Sequence, residues 1–304
     1  MIQKIIAESL ALDVRQVENI VRSASHCYYH FRIPKRNGGR RDIYHPAKQL
    51  KLLQRWIIRK ILLRLPVSPA ATAYEERCSI ALNAKKHARS RFLLRLDFRQ
   101  FFPSLTAVDV KRILMQNASA IGGLVDNDQD TEVISKITCR YGVLTIGAPT
   151  SPFLSNRIME PFDAHWLSFA NDRGVAYTRY ADDLFFSCSE PSVLQEFPVA
   201  IAAYLRQQNG PKLRLNPEKT VFSSKKGRRV ITGLKVTPEH KVSLGREFKR
   251  SLRTKVYLAI HHALSPEDIA SLRGLLAFAK DVEPDLLVRL QAKYGAEKMI
   301  GLIK

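Results

Sequence analysis

Two adjacent carboxylates, Asp182 and Asp183, sit between two short apolar runs, and no other feature of the chain restricts its fold so tightly. Residues 175–187 read Val-Ala-Tyr-Thr-Arg-Tyr-Ala-Asp-Asp-Leu-Phe-Phe-Ser, which predicts two short strands around Ala181-Asp182-Asp183. Like charges held side by side at the tip of an apolar hairpin repel, so each must be hydrated or paired. Taken alone, the pair is a solvated type I′ turn, in which Asp is common. Asp97 changes that balance. It follows Phe92, Leu94 and Leu96, which alternate with Leu93 and Arg95 at the strand period of two, and it lies 182 − 97 = 85 residues upstream. If strand and hairpin share one sheet, three carboxylates meet at its end, an oxygen-only set that suits Mg2+. By itself, Asp97 reads equally well as a helix cap or a turn residue.

The surrounding pattern is helical, then mixed, then helical. In residues 48–65, Leu50, Leu53, Ile57 and Ile61 recur at helical spacing until Pro66 stops the run. Before it lies PKRNGGRRDIYHP, a basic ribbon or loop with Gly38–Gly39 at its turn. Thr106 with Asp109 three residues on predicts a capped helix start. Residues 191–209 read as one helix ended by Gly210, and KKGRR at 225–229 as a hairpin-like turn between strands 221–224 and 230–236. Toward the end, Leu252, Val256 and Ile260 make an apolar side opposite basic rows of Arg246, Arg250, Lys249 and Arg253. Ser265-Pro266-Glu267-Asp268 starts another helix. Trp56 and Trp166, on helical faces, are most simply core.

Charge narrows the class of partner. Lys and Arg total 49 against 28 Asp and Glu, a net of +21. Such a surface attracts polyanions and repels itself in the compact state unless a polyanion neutralises it. Nucleic acid is the natural partner, although charge alone equally allows a basic protein that associates with acidic surfaces. Cys27, Cys78, Cys139 and Cys188 form no C-x-x-C pair, so zinc and redox motifs are absent and idle thiols in a reducing cytosol are expected. No apolar run approaches the ~20 residues that span a bilayer, and the first residues show no secretion signal. A cytoplasmic protein with no membrane partner is expected.

LDFRQFFPSL at 96–105, GAPTSPFLSN at 147–156, YADD at 180–183, LNPEKT at 215–220 and ITGLKV at 231–236 occur in this order. They resemble the successive palm motifs of reverse transcriptases, and RRDIYHPAKQLKLLQRWI at 40–57 resembles the fingers motif of those enzymes. Asn83-Ala84-Lys85-Lys86-His87 resembles the N-A-x-x-H signature of retron enzymes. Ile231-Thr232-Gly233 resembles their V-T-G signature with Ile for Val, and residues 272–295 resemble a retron thumb. One departure stands out: Ile146-Gly147 replaces the usual Gln-Gly, which removes a side chain that normally lies near the templating base pair.

The resemblance implies an α+β right-hand polymerase. Its fingers would span residues 1–90, its palm of antiparallel sheet and helices 91–238, and its RNA-binding helical thumb 239–304. It implies an RNA-directed DNA polymerase of a retron that makes branched, RNA-linked single-stranded DNA (msDNA) from a cognate structured non-coding RNA, in anti-phage defence. Two Mg2+ ions, with Mn2+ as a substitute, would be held by Asp97, Phe98, Asp182 and Asp183. Lys219 would act as general acid toward pyrophosphate, although a solvated surface lysine fits the sequence nearly as well. Arg41, with Arg40 and Lys35 as rivals, would hold the triphosphate, and Phe98, Phe102, Gly147, Ala148 and Pro149 would line the dNTP site. Phe102 matches the gate against a ribose 2′-hydroxyl, with core packing beside Phe101 as its plain alternative. Asn83, His87, Thr232, Lys249, Arg250 and Arg253 would contact RNA, although such a histidine is more often structural. Partners would be the cognate RNA, its RNA–DNA product, dNTPs and an operon-encoded effector or toxin. Two alternatives are a free-standing intron-derived or defence-type reverse transcriptase without 2′ branching, and a catalytically inert RNA-binding scaffold.

Overall fold

The computed structural model describes residues 1–35, 38–125 and 127–303, so residues 36 and 37 of the basic ribbon lie outside the described residues. The chain opens with helices α1 (Ile2–Leu10) and α2 (Val14–Ser23), then a ribbon of β1 (Tyr28–Pro34) and β2 (Arg40–Pro46). Helices α3 (Lys48–Lys60) and α4 (Ile80–His87) lead into strand β3 (Phe92–Asp97). Next come α5 (Ala107–Gln116), α6 (Asp128–Thr138), α7 (Thr150–Ile158) and α8 (Glu160–Asn171), and the hairpin of β4 (Ala176–Tyr180) and β5 (Asp183–Cys188). Helices α9 (Pro191–Gln195) and α10 (Phe197–Gln207) precede strands β6 (Val221–Ser224), β7 (Arg229–Ile231), β8 (Leu234–Val236) and β9 (Val242–Ser243). Four helices close the chain: α11 (Arg246–Ile260), α12 (Pro266–Val282), α13 (Pro284–Tyr294) and α14 (Ala296–Ile303).

The central sheet is antiparallel with strand order β4-β5-β3-β6. Because side chains alternate along a strand, each of its faces meets a different core. Leu94, Leu96, Leu184 and Phe186 pack into a large apolar cluster with α1–α3, α5–α8 and α10. Leu93 and Phe185 point the other way, into a second cluster built by α4, β7–β9 and α11–α14. A sheet buried on both sides explains why β5 is apolar at consecutive positions rather than at every second one. The packing also divides the first ninety residues. Helices α1–α3 share the large cluster with the sheet, whereas Ala81, Ala84 and Ala88 of the α4 segment join the C-terminal helices.

The predicted helix starts are present. Thr106 accepts from the Asp109 amide at 3.4 Å while Asp109 accepts from the Thr106 amide at 2.8 Å, and Ser265 caps Asp268 at 3.2 Å. Trp56 and Trp166 are buried, and the four cysteines are free. Among the described residues no helix is long and apolar enough to cross a membrane.

Two expectations fail for local reasons. The helix predicted over 191–209 is two helices that part at Glu196, because Pro198 lacks an N–H and its ring clashes with the carbonyl four residues back. It ends where Gln208 turns extended (ψ 147°), ahead of Gly210. The KKGRR segment is no hairpin either: β6 pairs with β3 of the central sheet, whereas β7 pairs with β8. The tight turn lies further on, at Thr232-Gly233, where both residues have positive φ (47° and 86°). That is the type I′ requirement, and it is strained for a β-branched residue.

Candidate active site

The strand register brings the acidic residues together. Asp97 ends β3 and faces Asp183, the first residue of β5, and the Phe98 amide donates to the Asp182 carbonyl at 3.1 Å. On the other side, the Asn216 amide donates to the Asp97 carbonyl at 2.7 Å, which carries the LNPEKT segment to the same edge. Each outer carboxylate has a cation. Lys219 Nζ lies 2.9 and 2.8 Å from the two oxygens of Asp97. Arg95 holds Asp183 through Nε at 3.0 Å and Nη2 at 2.8 and 3.0 Å.

The carboxylates are still short of positive charge. Burial raises the pKa of Asp182, with Asp97 adding to the effect and Lys219 and Arg41 opposing it. Burial pushes Asp183 up to about 6 although Arg95 opposes it. Among the described residues no three acidic, imidazole or thiolate groups already stand as a metal cage. The donor set itself fits hard divalent cations. Three carboxylates from two adjoining strand ends supply oxygen only, and the raised pKa values of Asp182 and Asp183 show that further positive charge there is stabilising.

A buried polar lattice holds the hairpin tip. Ala181 is in the left-handed region (φ 55°), and Arg179 Nη1 donates to its carbonyl at 3.1 Å. Arg179 is fully buried, pairs with Asp163 through Nε at 2.9 Å and Nη2 at 2.6 Å, and reaches Asn156 Oδ1 at 3.2 Å. Tyr177 donates to the same Asp163 at 2.8 Å. Thr72 takes the Arg179 carbonyl with its amide (2.8 Å) and hydroxyl (3.0 Å). Arg95, Arg179, Asp163 and Asn156 were not singled out from sequence. A guanidinium in a buried strand announces that an acid must face it, but nothing in the chain order points to Asp163. Tyr74 was also missed. It is half-exposed with φ 67°, and burial together with the neighbouring Asp182 raises its pKa.

The predicted nucleotide-site residues divide. Arg41 is exposed on β2, and its charge reaches Asp182. Phe102 is half-buried and edge-on to Phe101 at 5.4 Å. Phe98 is 2% exposed and stacked on Phe101 at 5.8 Å, so only its backbone could face a ligand. Ala148 is likewise buried and Pro149 half-buried. The freedom of Gly147 is spent within the protein: with φ 112°, a Cβ there would lie 2.6 Å from the Tyr44 carbonyl. The Tyr44 amide meanwhile donates to the Ile146 carbonyl at 2.8 Å, so this segment anchors the β1–β2 ribbon. Its backbone hydrogen bond is indifferent to the side chain at 146.

Four residues expected to contact RNA are engaged within the protein itself. Asn83 and His87 are 0% and 1% exposed. Thr178 donates to Asn83 Oδ1 at 2.6 Å, and the His87 ring nitrogens lie 2.7 Å from Thr178 Oγ1 and 2.8 Å from Ser187 Oγ. Burial holds the His87 pKa down to about 3, so the ring is neutral. Thr232 donates to the Ile80 carbonyl at 3.2 Å. Lys249 is bonded to Glu283 at 3.0 Å and Ser243 at 2.9 Å. Arg250 and Arg253 are exposed on α11.

Residues 33–236 match the family model described as reverse transcriptase (RNA-dependent DNA polymerase). The chain is 37% identical over 292 residues to the Retron Ec83 reverse transcriptase of Escherichia coli, covering 93% of this chain and 91% of that one. It is 31% identical to the Escherichia coli Retron Ec86 reverse transcriptase, covering 95% and 89% of the two chains. For the Retron Ec73 enzyme of the same organism the identity is 31% and the shares are 87% and 86%. The chain belongs to the retron reverse transcriptases. It is an RNA-directed DNA polymerase, and its mixed helical and antiparallel architecture is that of a right-hand polymerase. In this retron enzyme the acidic edge formed by Asp97, Asp182 and Asp183 falls inside the matched segment, as do Arg41, Phe102 and Lys219.

Proposed function

We propose that this retron reverse transcriptase copies a cognate structured non-coding RNA into branched, RNA-linked single-stranded DNA by two-metal nucleotidyl transfer. The Asp97–Asp183 register pair, with Asp182 bonded to the backbone beside it, carries this reading. Asp97, Asp182, Asp183 and the Phe98 carbonyl would hold Mg2+, with Mn2+ as a substitute. Two such ions activate the attacking hydroxyl and stabilise the leaving pyrophosphate. Lys219, paired with Asp97 at 2.8 Å, would be released by a metal on that carboxylate, and its ammonium would then be placed to protonate pyrophosphate. Arg41, on the ribbon facing Asp182, takes the triphosphate of the incoming dNTP. Phe102 closes the space beside the sugar.

In this reading residues 1–90 act as fingers, 91–238 as palm and 239–304 as an RNA-binding thumb. The net charge of +21 supplies general attraction to RNA and to the RNA–DNA product. The work is done in the cytoplasm, in anti-phage defence, beside an operon-encoded effector. Burial of Asn83 and His87 favours one rival, a reverse transcriptase without 2′ branching, because signatures that face inward do not themselves select an RNA.

The test is to express the chain with its flanking RNA and recover the DNA. DNA that shifts in mobility after 2′,5′-debranching supports the branched product, whereas DNA with a free 5′ end from the start supports the rival. The Asp182→Asn/Asp183→Asn double variant should incorporate no dNTP while still binding RNA. Normal extension by that variant would sink the two-metal assignment.

A further inference from the structure

Helix α4 is tied at both ends to the C-terminal unit. At its start, Thr232 of the β7–β8 turn donates to the Ile80 carbonyl at 3.2 Å. Beyond its end, His240 Nδ1 lies 3.0 Å from the Ala88 carbonyl, and the buried Arg229 donates to the Ser90 carbonyl. Its alanines pack among Leu252, Val256, Leu272 and Leu276 of α11 and α12. Another face of α4 carries Asn83 and His87, which grip both strands of the catalytic hairpin: Thr178 on β4 and Ser187 on β5. Thr178 lies four residues before Asp182, and Ser187 four after Asp183.

The chemistry of this contact is more demanding than packing requires. The Thr178 hydroxyl donates to Asn83 Oδ1 and lies 2.7 Å from His87 Nε2, so one hydroxyl joins both signature side chains. Asn83 Nδ2 is buried with no hydrogen-bond partner among the described residues, a defect that an apolar residue would avoid. Thr232 holds a left-handed conformation that β-branched residues disfavour, with its side chain on α4 as compensation. Two unfavourable choices converge on one helix.

We propose that Asn83, His87 and Thr232 form a single positioning relay, in which α4 transmits the placement of the C-terminal helical unit to the β4–β5 hairpin and hence to Asp182 and Asp183. The two retron signatures, far apart in sequence, are then parts of one device that faces the protein interior. The inference rests on the reading of Asp182 and Asp183 as metal-holding residues.

The test uses the full-length protein, a generic DNA primer annealed to an RNA template, and Mg2+. Thr178→Val removes the shared hydroxyl at nearly constant volume, and Thr178→Ser restores it. The valine variant should lose on the order of 10- to 100-fold in kcat, the scale of small displacements of reacting groups. Its KM for dNTP and its template affinity should change by less than about two-fold, and serine should recover most of the rate. His87→Ala should add little on top of Thr178→Val, because coupled partners are not additive. All rates are taken at a temperature where circular dichroism shows each variant folded. Equal kcat for the valine and serine variants would overturn the relay, as would a normal kcat with weakened template binding. Asp182→Asn in the same assay separates the two readings: if it still extends the primer, the metal assignment fails whatever Thr178 does.

Discussion

Lys219 Nζ sits between the two oxygens of Asp97, at 2.9 and 2.8 Å, although its side chain is 54% exposed and that of Asp97 only 3%. An exposed ammonium on a buried carboxylate is a removable counter-ion. It can leave into solvent at little cost, which the buried partner cannot do. Exposure also keeps the strength of the pair modest.

That geometry makes two roles for Lys219 separable. As a competitor for Asp97 it opposes metal uptake, so Lys219→Ala should leave unchanged or lower the Mg2+ concentration needed for half-maximal extension. As a proton donor to pyrophosphate it should support turnover, so the same variant should lose on the order of 10²-fold in kcat. Extension rates across a Mg2+ titration decide it. An unchanged kcat would make Lys219 only a counter-ion.

Arg179 and Asp163 form a fully buried pair beneath the YADD turn. Asp163→Asn leaves the guanidinium facing Ala181 without its charge partner, and should destabilise the fold by about 3–5 kcal/mol. Replacing both, as Asp163→Leu with Arg179→Met, should recover much of the stability yet lose the support of the Ala181 carbonyl. Urea unfolding measures the first effect and primer extension the second. If the double variant polymerises normally, the pair serves stability alone.

Much of this frame was legible in the chain, and the rest was hidden for identifiable reasons. Strand β3 follows from period-two alternation, the β4–β5 hairpin from two apolar runs around Ala181-Asp182-Asp183, and the convergence of Asp97 with Asp182 and Asp183 from the acidic ends of both. Arg95 alternates outward on β3 like any polar strand residue, and only the register shows that it meets Asp183. Gly147 was placed at the dNTP site from sequence, and only the structure shows that its missing Cβ also makes room for the Tyr44 carbonyl. Asn83, His87 and Lys249 look like surface groups in sequence because polarity does not reveal burial. Their partners, Thr178, Ser187 and Glu283, lie 34 to 100 residues away.

His87 gives a pH dependence with a definite sign. Burial keeps its pKa at about 3, below its ordinary 6.5, so the folded state binds fewer protons than the unfolded one. Its contribution to stability is therefore complete above about pH 6.5 and is lost as pH falls toward 3, by at most about 1.4 kcal/mol per pH unit. Thermal or urea unfolding of wild type and His87→Gln between pH 7.5 and 5 should show the wild type losing stability more steeply, roughly by one proton's worth of slope. Parallel curves would mean that His87 is protonated in the folded protein.

The basic face of α11 offers a test in which neighbouring cations behave oppositely. Arg250 and Arg253 are exposed, whereas Lys249 is 20% exposed and held by Glu283, itself only 13% exposed. Each phosphate contact on single-stranded nucleic acid contributes roughly 0.7 to the slope of log affinity against log salt. Neutralising Arg250 and Arg253 together should therefore flatten that slope by roughly 1.4 and weaken binding to any RNA sequence. Lys249→Gln should leave the slope unchanged. Its cost appears in stability instead, because Glu283 loses a cation that holds its carboxyl below the usual range and keeps Arg289 at 2.9 Å and the Leu244 amide at 3.2 Å. Filter binding over a salt series with one RNA, together with urea unfolding of both variants, separates the outcomes. A flattened slope in Lys249→Gln, or an unchanged slope in the double arginine variant, would place the RNA on a different face of the C-terminal helices.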